Sequence, residues 1–492
     1  MRLMQAQTSP RTLLFTDLRH IACGDLTWRG PEQQPLPLND PPEPEVEVVA
    51  DPGRVPRGIR LQAQPALKTD PVVNGPPMGH VICDGAVYRA WRLQPTYPPG
   101  CDIGCYTTIA PDALAIVGYE SADGFHWAES SRSRISAPGQ TGFDGFTFLV
   151  DPVADPTERY KALYMANAPD ADRPALWQQY QQVHPRYRHL SLNENYITCL
   201  YGAVSADGEH WSAIPQPLMI HKSDTDTTVY WDEWVGRYVM YTRLYIQDRR
   251  WVGRAEAEDF RHWGPVQPLL WPSLDGPLSD DIYLNARTEY PGVPGTHLML
   301  PMVYHRATQR SEVRMYSSAD GICWSEAPGG AVIEPGPAGS WDSAFVYAGN
   351  DLVPLGDDRV AVPYHGTRFP HKYPRWPQVR AAMQRWGWAW WPKQRLCAVV
   401  ADGDGEFWTP AMLPAGRRLR VNVRTARAGF VRLGVVGAGG GSVDDCTPIV
   451  GNEMEKPVHW HGEDDIGAAV GQPVVLHIKM RAAELFAIEW VG

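Results

Sequence analysis

The sequence predicts an all-β protein: a five-bladed β-propeller followed by a small C-terminal β-sandwich. Three observations carry this. Among 492 residues, Gly (45) and Pro (46) are abundant and Trp (20) outnumbers Phe (11), a mix that suits short strands and many turns. A turn motif, Asp-Gly-x-x-Trp, recurs along the chain. Short runs rich in β-branched and aromatic residues precede each copy.

The motif stands at Asp123 to Trp127, Asp207 to Trp211, Asp320 to Trp324 and Asp404 to Trp408. A fifth, degenerate copy runs from Asp259 to Trp263, with Phe260 in place of Gly. In such a turn Asp accepts backbone N–H groups, Gly takes a positive φ, and Trp staples the turn to the sheet. Five copies in order, at blade-like spacing, predict radial repetition.

The strands follow blade by blade. The first blade takes His80 to Cys83, Val87 to Arg92 and Leu114 to Glu120; the second takes Phe146 to Val150, Tyr160 to Met165 and Ile197 to Val204. The third takes Thr227 to Trp231, Tyr238 to Tyr245 and Trp251 to Ala255; the fourth takes Ile282 to Arg287, His297 to Tyr304 and Glu312 to Ser317. The fifth takes Phe345 to Ala348, Arg359 to Tyr364 and Arg395 to Val400. A fourth strand is expected after each Trp. The organisation predicted is a wrapping segment over 1–60, the propeller over 61–411 and the sandwich over 412–492. In the wrapping segment, strands near Thr12 to Phe15 and Leu26 to Arg29 are expected to close a blade. Residues 371–394, with Trp376, Trp386, Trp388, Trp390 and Trp391, read as an insertion in blade 5. The stretch Val379 to Trp386 reads as a short helix, and the indoles either as a sugar-stacking platform or as groups that plug or pack the propeller or form a subunit contact.

Composition excludes several functions. Hydrophobic residues make up 43% and charged residues 21%, enough to bury a large core. Net charge is -11 with no basic block, which argues against nucleic-acid and anionic-membrane partners. No apolar run approaches the roughly 18 residues of a membrane span. The first residues lack a secretory apolar core, so a cytoplasmic location is expected. Eight scattered cysteines, with only Cys101 and Cys105 close together, read as free thiols rather than a zinc site.

Topology sorts the acidic residues. The one-to-two and three-to-four turns of every blade fall on one face. The motif aspartates (Asp123, Asp207, Asp259, Asp320, Asp404) and Asp84, Asp151 and Asp232 therefore read as turn residues. The opposite face collects strand-one starts: Asp144, Asp224 and Asp226, Asp280 and Asp281, and Asp342. Strand-two ends bring Arg243, Tyr304, His305 and His365 there, with Arg368 just beyond. Carboxylates converging with Arg, His and Tyr suit a polar, hydroxyl-rich ligand. A pair of them could cleave a glycosidic bond, about 5 Å apart for retention or about 6.5–9.5 Å for inversion.

The five blades, the Ser-x-Asp-Gly-x-x-Trp turns and the trailing sandwich resemble the five-bladed propeller glycosidases of glycoside hydrolase families 32, 43 and 68. The chain is most similar to family-32-like bacterial proteins. The shared stretches are Asp151-Pro152 with Glu158 to Lys161, Ser223 to Thr225 with Trp231 to Glu233, Gly339 to Asp342, and Asp444 to Cys446. The Asn-Asp-Pro-Asn-Gly, Arg-Asp-Pro and Glu-Cys motifs of family 32 are missing, so its catalytic roles do not transfer residue by residue. Asp280 to Tyr283 is similar to an Asp-Phe-Tyr segment near the sugar site of those enzymes, which favours Asp281.

The expected function is hydrolysis of a furanoside, a fructoside or arabinoside, or of a related small oligosaccharide. The carboxylate set is Asp226, Asp281 and Asp342, with Asp144 and Asp224 in reserve. Arg243, Tyr304, His305, His365, Arg368, Trp386 and Trp388 are expected to bind substrate. No cofactor is expected, although a structural Ca²⁺ would use the same ring of aspartates. The alternatives are a glycoside phosphorylase, with Arg243, His305 and His365 holding phosphate, and a non-catalytic carbohydrate-binding propeller.

Overall fold

The structure, a computed structural model, describes residues 11–24, 26–29, 47–50, 54–72, 79–97, 109–110, 112–183, 189, 191–225, 227–371 and 385–492. Antiparallel strands dominate, and Arg173–Val183 is the one α-helix among the described residues.

Five sheets follow one another along the chain. Blade 1 is Ile82–Asp84, Val87–Pro95, Leu114–Ser121 and Ala128–Ile135, paired in that order. Blade 2 is Thr141–Val150, Tyr160–Asn167, Thr198–Ser205 and Ser212–Ala213. Blade 3 is Thr228–Asp232, Arg237–Ile246, Arg249–Ala257 and Gln267–Leu270. Blade 4 is broken across its middle. Asp280–Leu284 pairs with Met302–His305 near the axis end, and Arg287–Glu289 pairs with His297–Met299 beyond. Ala286, at φ 42°, sits at the break. Each blade packs against the next in chain order, and blade 5 returns to blade 1. That closes a ring of five.

The repeat has a second use that its spacing alone does not reveal. In three of the Asp-Gly turns the Gly carbonyl accepts a hydrogen bond from an aromatic side chain of the preceding blade. Trp388 Nε1 reaches Gly124 O at 3.0 Å, Trp91 Nε1 reaches Gly208 O at 2.7 Å, and Tyr241 OH reaches Gly321 O at 2.6 Å. A Cβ on Gly208 would lie 2.8 Å from Trp91, so the aromatic needs a glycine to come that close. The aspartates behave as expected: Asp123 Oδ1 accepts the N–H groups of Phe125 and His126, both at 2.8 Å.

Blade 5 differs from the expectation. Its third strand is Trp386–Pro392, paired with Arg359–Thr367, so the Trp-rich run is sheet rather than insertion. Alternating large aromatics suit a pleated, enclosed surface, and the density of Trp hid an ordinary strand. Of the expected short helix, 379–384 lie outside the described residues and Trp386 opens the strand. The fourth strand is Leu67–Lys68, from the N-terminal part of the chain, which closes the ring. Thr12–Leu14 instead pairs with Val475–Val491, and Leu26–Arg29 forms a hairpin with Glu47–Ala50.

The expected third strand Arg395 to Val400 and the Asp404 motif belong to the C-terminal sheet. Cys397–Trp408 is one strand, paired with Val475–Val491 on one side and Arg60–Ala63 on the other. The C-terminal strands thus begin at Cys397, and Arg60–Ala63 joins them rather than the propeller. Arg418–Val436 and Asn452–Pro457 complete this sheet. Arg418–Val436 is 19 residues long, yet Val421 and Val435 from its two halves share one buried core. A strand of that length reaches about 60 Å if straight. The sheet therefore folds over at the register shifts near Asn422 and between Thr425 and Phe430, giving the layers of the sandwich.

Candidate functional site

Strand-one starts and strand-two ends meet at one end of the propeller axis. The connections between strands two and three also rise there. Those of blades 1, 2 and 5 span 96–113, 168–197 and 368–385, whereas blade 3 turns on Gln247 and Asp248 alone. Both of those residues take positive φ, 50° and 61°, which a two-residue hairpin demands.

Asp144 lies between two bulges in Thr141–Val150, is exposed, and accepts the Gly145 N–H at 2.9 Å. Gly145 takes φ 61°, and a Cβ there would lie 2.8 Å from Ser223 O and 2.9 Å from Thr225 O. This close approach of main chains brings Asp144 beside the segment that carries Asp224. Asp224 is also exposed and forms an ion pair with Arg243. Burial opposes its ionisation, but Arg243, helped by Arg250 and Lys222, holds the carboxyl below the usual range. Asp226 lies outside the described residues.

Arg243 is buried and fully engaged. It donates to Asp224, to Tyr245 OH at 3.0 Å and to Tyr283 O at 3.1 Å, with its guanidinium 4.0 Å from the centre of the Tyr283 ring. Asp281 is 0% exposed and receives Arg250 Nη1 at 2.8 Å and Arg306 Nε at 2.7 Å. Asp280 accepts from His305 Nδ1 at 2.9 Å, and His305 Nε2 stands 3.8 Å from Glu312. Glu312 and Asp280 raise the His305 pKa against the opposing effect of burial.

Aromatic groups continue the surface across blades 4 and 5. Tyr283 OH lies 3.1 Å from His371 Nε2, and the His371 ring stacks on Phe345 at 5.1 Å. Tyr304 is buried, donates to Gln309 at 2.6 Å and meets Tyr283 and His371 edge-on. His365 is buried and stacks on Tyr347 at 4.7 Å, with Trp386 edge-on to both. Arg368 is exposed, its guanidinium over Phe369.

Two expected site groups are enclosed in the structure. Asp342 is buried and tied to its own blade: Lys68 of the outermost strand donates to it at 2.5 Å, Ser340 at 2.7 Å and Tyr364 at 3.3 Å. Burial opposes its ionisation, and Lys68 and Ser340 reverse that effect. Trp388 is 0% exposed and is spent on Gly124, and Trp386 is buried against Tyr347 and His365. Neither offers an open face for stacking. Trp376 lies outside the described residues.

The sequence reading missed Lys222, Arg250, Arg306 and His371, and gave Tyr283 no role of its own. Arg250 follows the two-residue turn on Gln247 and Asp248, and a two-to-three turn falls on the site face. That rule would have found it. His189 is another: burial and the Lys222 charge lower its pKa to about 4, so it stands neutral, edge-on to Tyr245. Among the described residues no three His, Cys, Asp or Glu side chains are grouped to hold a metal ion. The described thiols (Cys23, Cys83, Cys199, Cys323, Cys397, Cys446) are all free, and Cys101 and Cys105 lie outside the described residues.

No family model matches the chain, and no curated protein matches it either. Similar solved structures include a glycoside hydrolase at 13% identity and TM-score 0.40, covering 68% of this chain and 92% of that one. The family 32 β-fructofuranosidase of Bombyx mori is 10% identical, with TM-score 0.37 over 88% of this chain and 94% of its own. A family 43 arabinoxylan arabinofuranohydrolase from Bacillus subtilis is 9% identical, with TM-score 0.34 over 87% and 96%. None of these likenesses assigns a role to a residue of this chain.

Proposed function

We propose that the protein is a glycoside hydrolase acting on a small hydroxyl-rich sugar, a furanoside above all, at the axis end where strand one begins. The observation that supports this reading is Asp224: an exposed carboxylate kept ionised by Arg243, beside the exposed Asp144. An ionised carboxylate can attack the anomeric carbon or take a proton from the attacking water. A second carboxyl group must give its proton to the leaving oxygen, and Asp144 and Asp226 are the candidates. Arg250 and Lys222 would donate to sugar hydroxyls, and the aromatic groups around His371 would pack on the ring's apolar face. Asp281 and Asp342, enclosed and ion-paired, leave the catalytic set and support the site instead.

The same ion pairs favour a second reading, a carbohydrate-binding propeller without turnover. The phosphorylase reading loses support, because Arg243 and His305 are committed to carboxylates. The test is turnover of nitrophenyl furanosides and short fructo- and arabino-oligosaccharides, with and without phosphate. Asp224→Asn and Asp144→Asn should each cost about a hundredfold or more in kcat, while folded Asp342→Asn keeps its activity. Full activity in both of the first two variants overturns the assignment. Sugar binding with no product after long incubation selects the second reading.

A further inference from the structure

The other end of the axis holds a cavity of about 330 Å³. All five blades line it, through His80 and Ile82, Phe148 to Val150, Thr228 to Trp231, Arg287 to Glu289, and Asn350 to Leu352. In blades 2, 4 and 5 the lining comes from the far part of strand one or just beyond it, away from Asp224. We infer that this cavity is a second binding site, for a neutral polyhydroxylated molecule of about monosaccharide size.

Size comes first. Small-molecule pockets run from about 300 to 1,000 Å³, and this one sits at the lower limit. Its share of liquid water would be about ten molecules, which one sugar ring with a few waters can replace.

Hydrogen-bonding capacity sets the ligand's chemistry. Two carboxylates from neighbouring blades face the cavity, Asp351 and Glu289, with side chains 37% and 38% exposed. Asp351 spends Oδ2 on His80 Nε2 at 2.6 Å, and Glu289 spends Oε1 on Arg287 Nη2 at 2.6 Å. The remaining oxygen of each takes no hydrogen bond from the described residues. Several donors nearby are already used: His80 Nδ1 pairs with Thr147, Asn350 Nδ2 points to Thr147, and Thr228 donates to Asn285 at 2.7 Å, while the unpaired Arg287 Nε is buried away from the cavity surface. A wall that mainly accepts calls for a ligand that mainly donates.

Charge narrows the choice further. Arg287 is buried, with its guanidinium 3.3 Å from the centre of the Tyr230 ring, and its fixed charge offsets one of the two carboxylates. An anion would meet two carboxylates, and an ammonium ion would meet a buried guanidinium. Hydroxyl groups suit both carboxylates, while Phe148, Val150, Pro152, Trp231 and Leu352 supply the apolar walls that sugar C–H faces need.

The test is saturation-transfer NMR and calorimetric titration with D-glucose, D-galactose, L-arabinose and myo-inositol, and with ethanolamine as a cationic control. At least one polyol should saturate. Glu289→Gln and Asp351→Asn should each weaken it about tenfold, the effect of about 1.4 kcal/mol, and Asp224→Asn should leave it unchanged. Thermal unfolding of each variant separates misfolding from lost binding, with the more exposed Glu289→Gln as the safer probe. No saturation by any polyol overturns the inference. So does binding that responds to Asp224→Asn alone, or binding of ethanolamine in preference to the polyols. A failed hydrolysis assay at the other face touches none of these outcomes.

Discussion

The imidazole of His80 lies 2.6 Å from the carboxylate of Asp351, a bond that joins the first blade to the last at the axis. The same ring stacks on Phe148 of blade 2 at 3.8 Å and meets Thr147 at 3.1 Å. Next to it, Asn350 N donates to Gly79 O at 2.7 Å. One buried side chain thus ties three blades where the ring closes. His80→Ala leaves the buried Thr147 hydroxyl with only a long 3.4 Å contact from Asn350 and empties an aromatic stack, at a cost of about 2–4 kcal/mol. Asp351→Asn still accepts a hydrogen bond and should cost about 1 kcal/mol. Urea midpoints of the two variants check the order, and an unchanged midpoint for His80→Ala removes the ring-closing role.

Asp151 and Lys161 form a buried ion pair within blade 2. Their side chains are 0% and 2% exposed, and Tyr238 OH of blade 3 adds a 2.6 Å bond to the pair. Asp151→Asn leaves a buried ammonium without its partner and should cost about 3–5 kcal/mol. The pair Asp151→Leu with Lys161→Met removes both charges and should cost far less. Denaturant unfolding of the single and double variants decides this. A double variant as unstable as the single one would contradict the account.

Gly208 carries two demands that can be separated. Its φ is 80°, and an added Cβ would sit 2.8 Å from the Trp91 ring. Gly85, at φ 69°, has nothing within 4 Å of the added atom. Gly85→Ala should therefore cost only the backbone term of about 1–2 kcal/mol. Gly208→Ala adds overpacking of about 1–3 kcal/mol. The difference between their melting temperatures measures the inter-blade staple, and equal shifts would mean the staple carries no weight.

Blades 1 to 4 were legible because their strands carry local patterns and each blade has a motif turn whose Asp has a mechanical job, joined by Gly in all but blade 3. The face carrying Asp144, Asp224 and Asp281 followed from topology alone. Blade 5 was not legible, for two physical reasons. Its outer strand, Leu67–Lys68, comes from far away in sequence, and no local pattern marks a closing strand of two residues. The Asp404 copy imitates a blade turn, yet its Asp pairs with Arg481 inside a sheet. Within the site, pattern could collect the carboxylates but could not say which were neutralised. That depended on Arg250, Arg306 and Lys68, cations from other strands that converge only in the fold.

Glu312 and His305 make part of the stability depend on pH from both sides. The ion pair with His305 at 3.8 Å and a hydrogen bond from Arg314 at 2.7 Å, against the opposition of burial, hold Glu312 down to about 2. A carboxyl depressed in the folded state stabilises above its unfolded value of about 4.3, and the effect is lost as pH falls toward the folded value. His305 is raised, so its contribution is complete below about 6.5 and is lost as pH climbs through the folded value. The pair is therefore worth most between about pH 4.3 and 6.5. Melting temperatures of wild type and Glu312→Gln should differ most near pH 5.5. The gap should narrow toward pH 3 as Glu312 protonates, and shrink above pH 8 to what Arg314 alone sustains. A gap that stays constant from pH 3 to pH 9 would show that the ion pair does not set it.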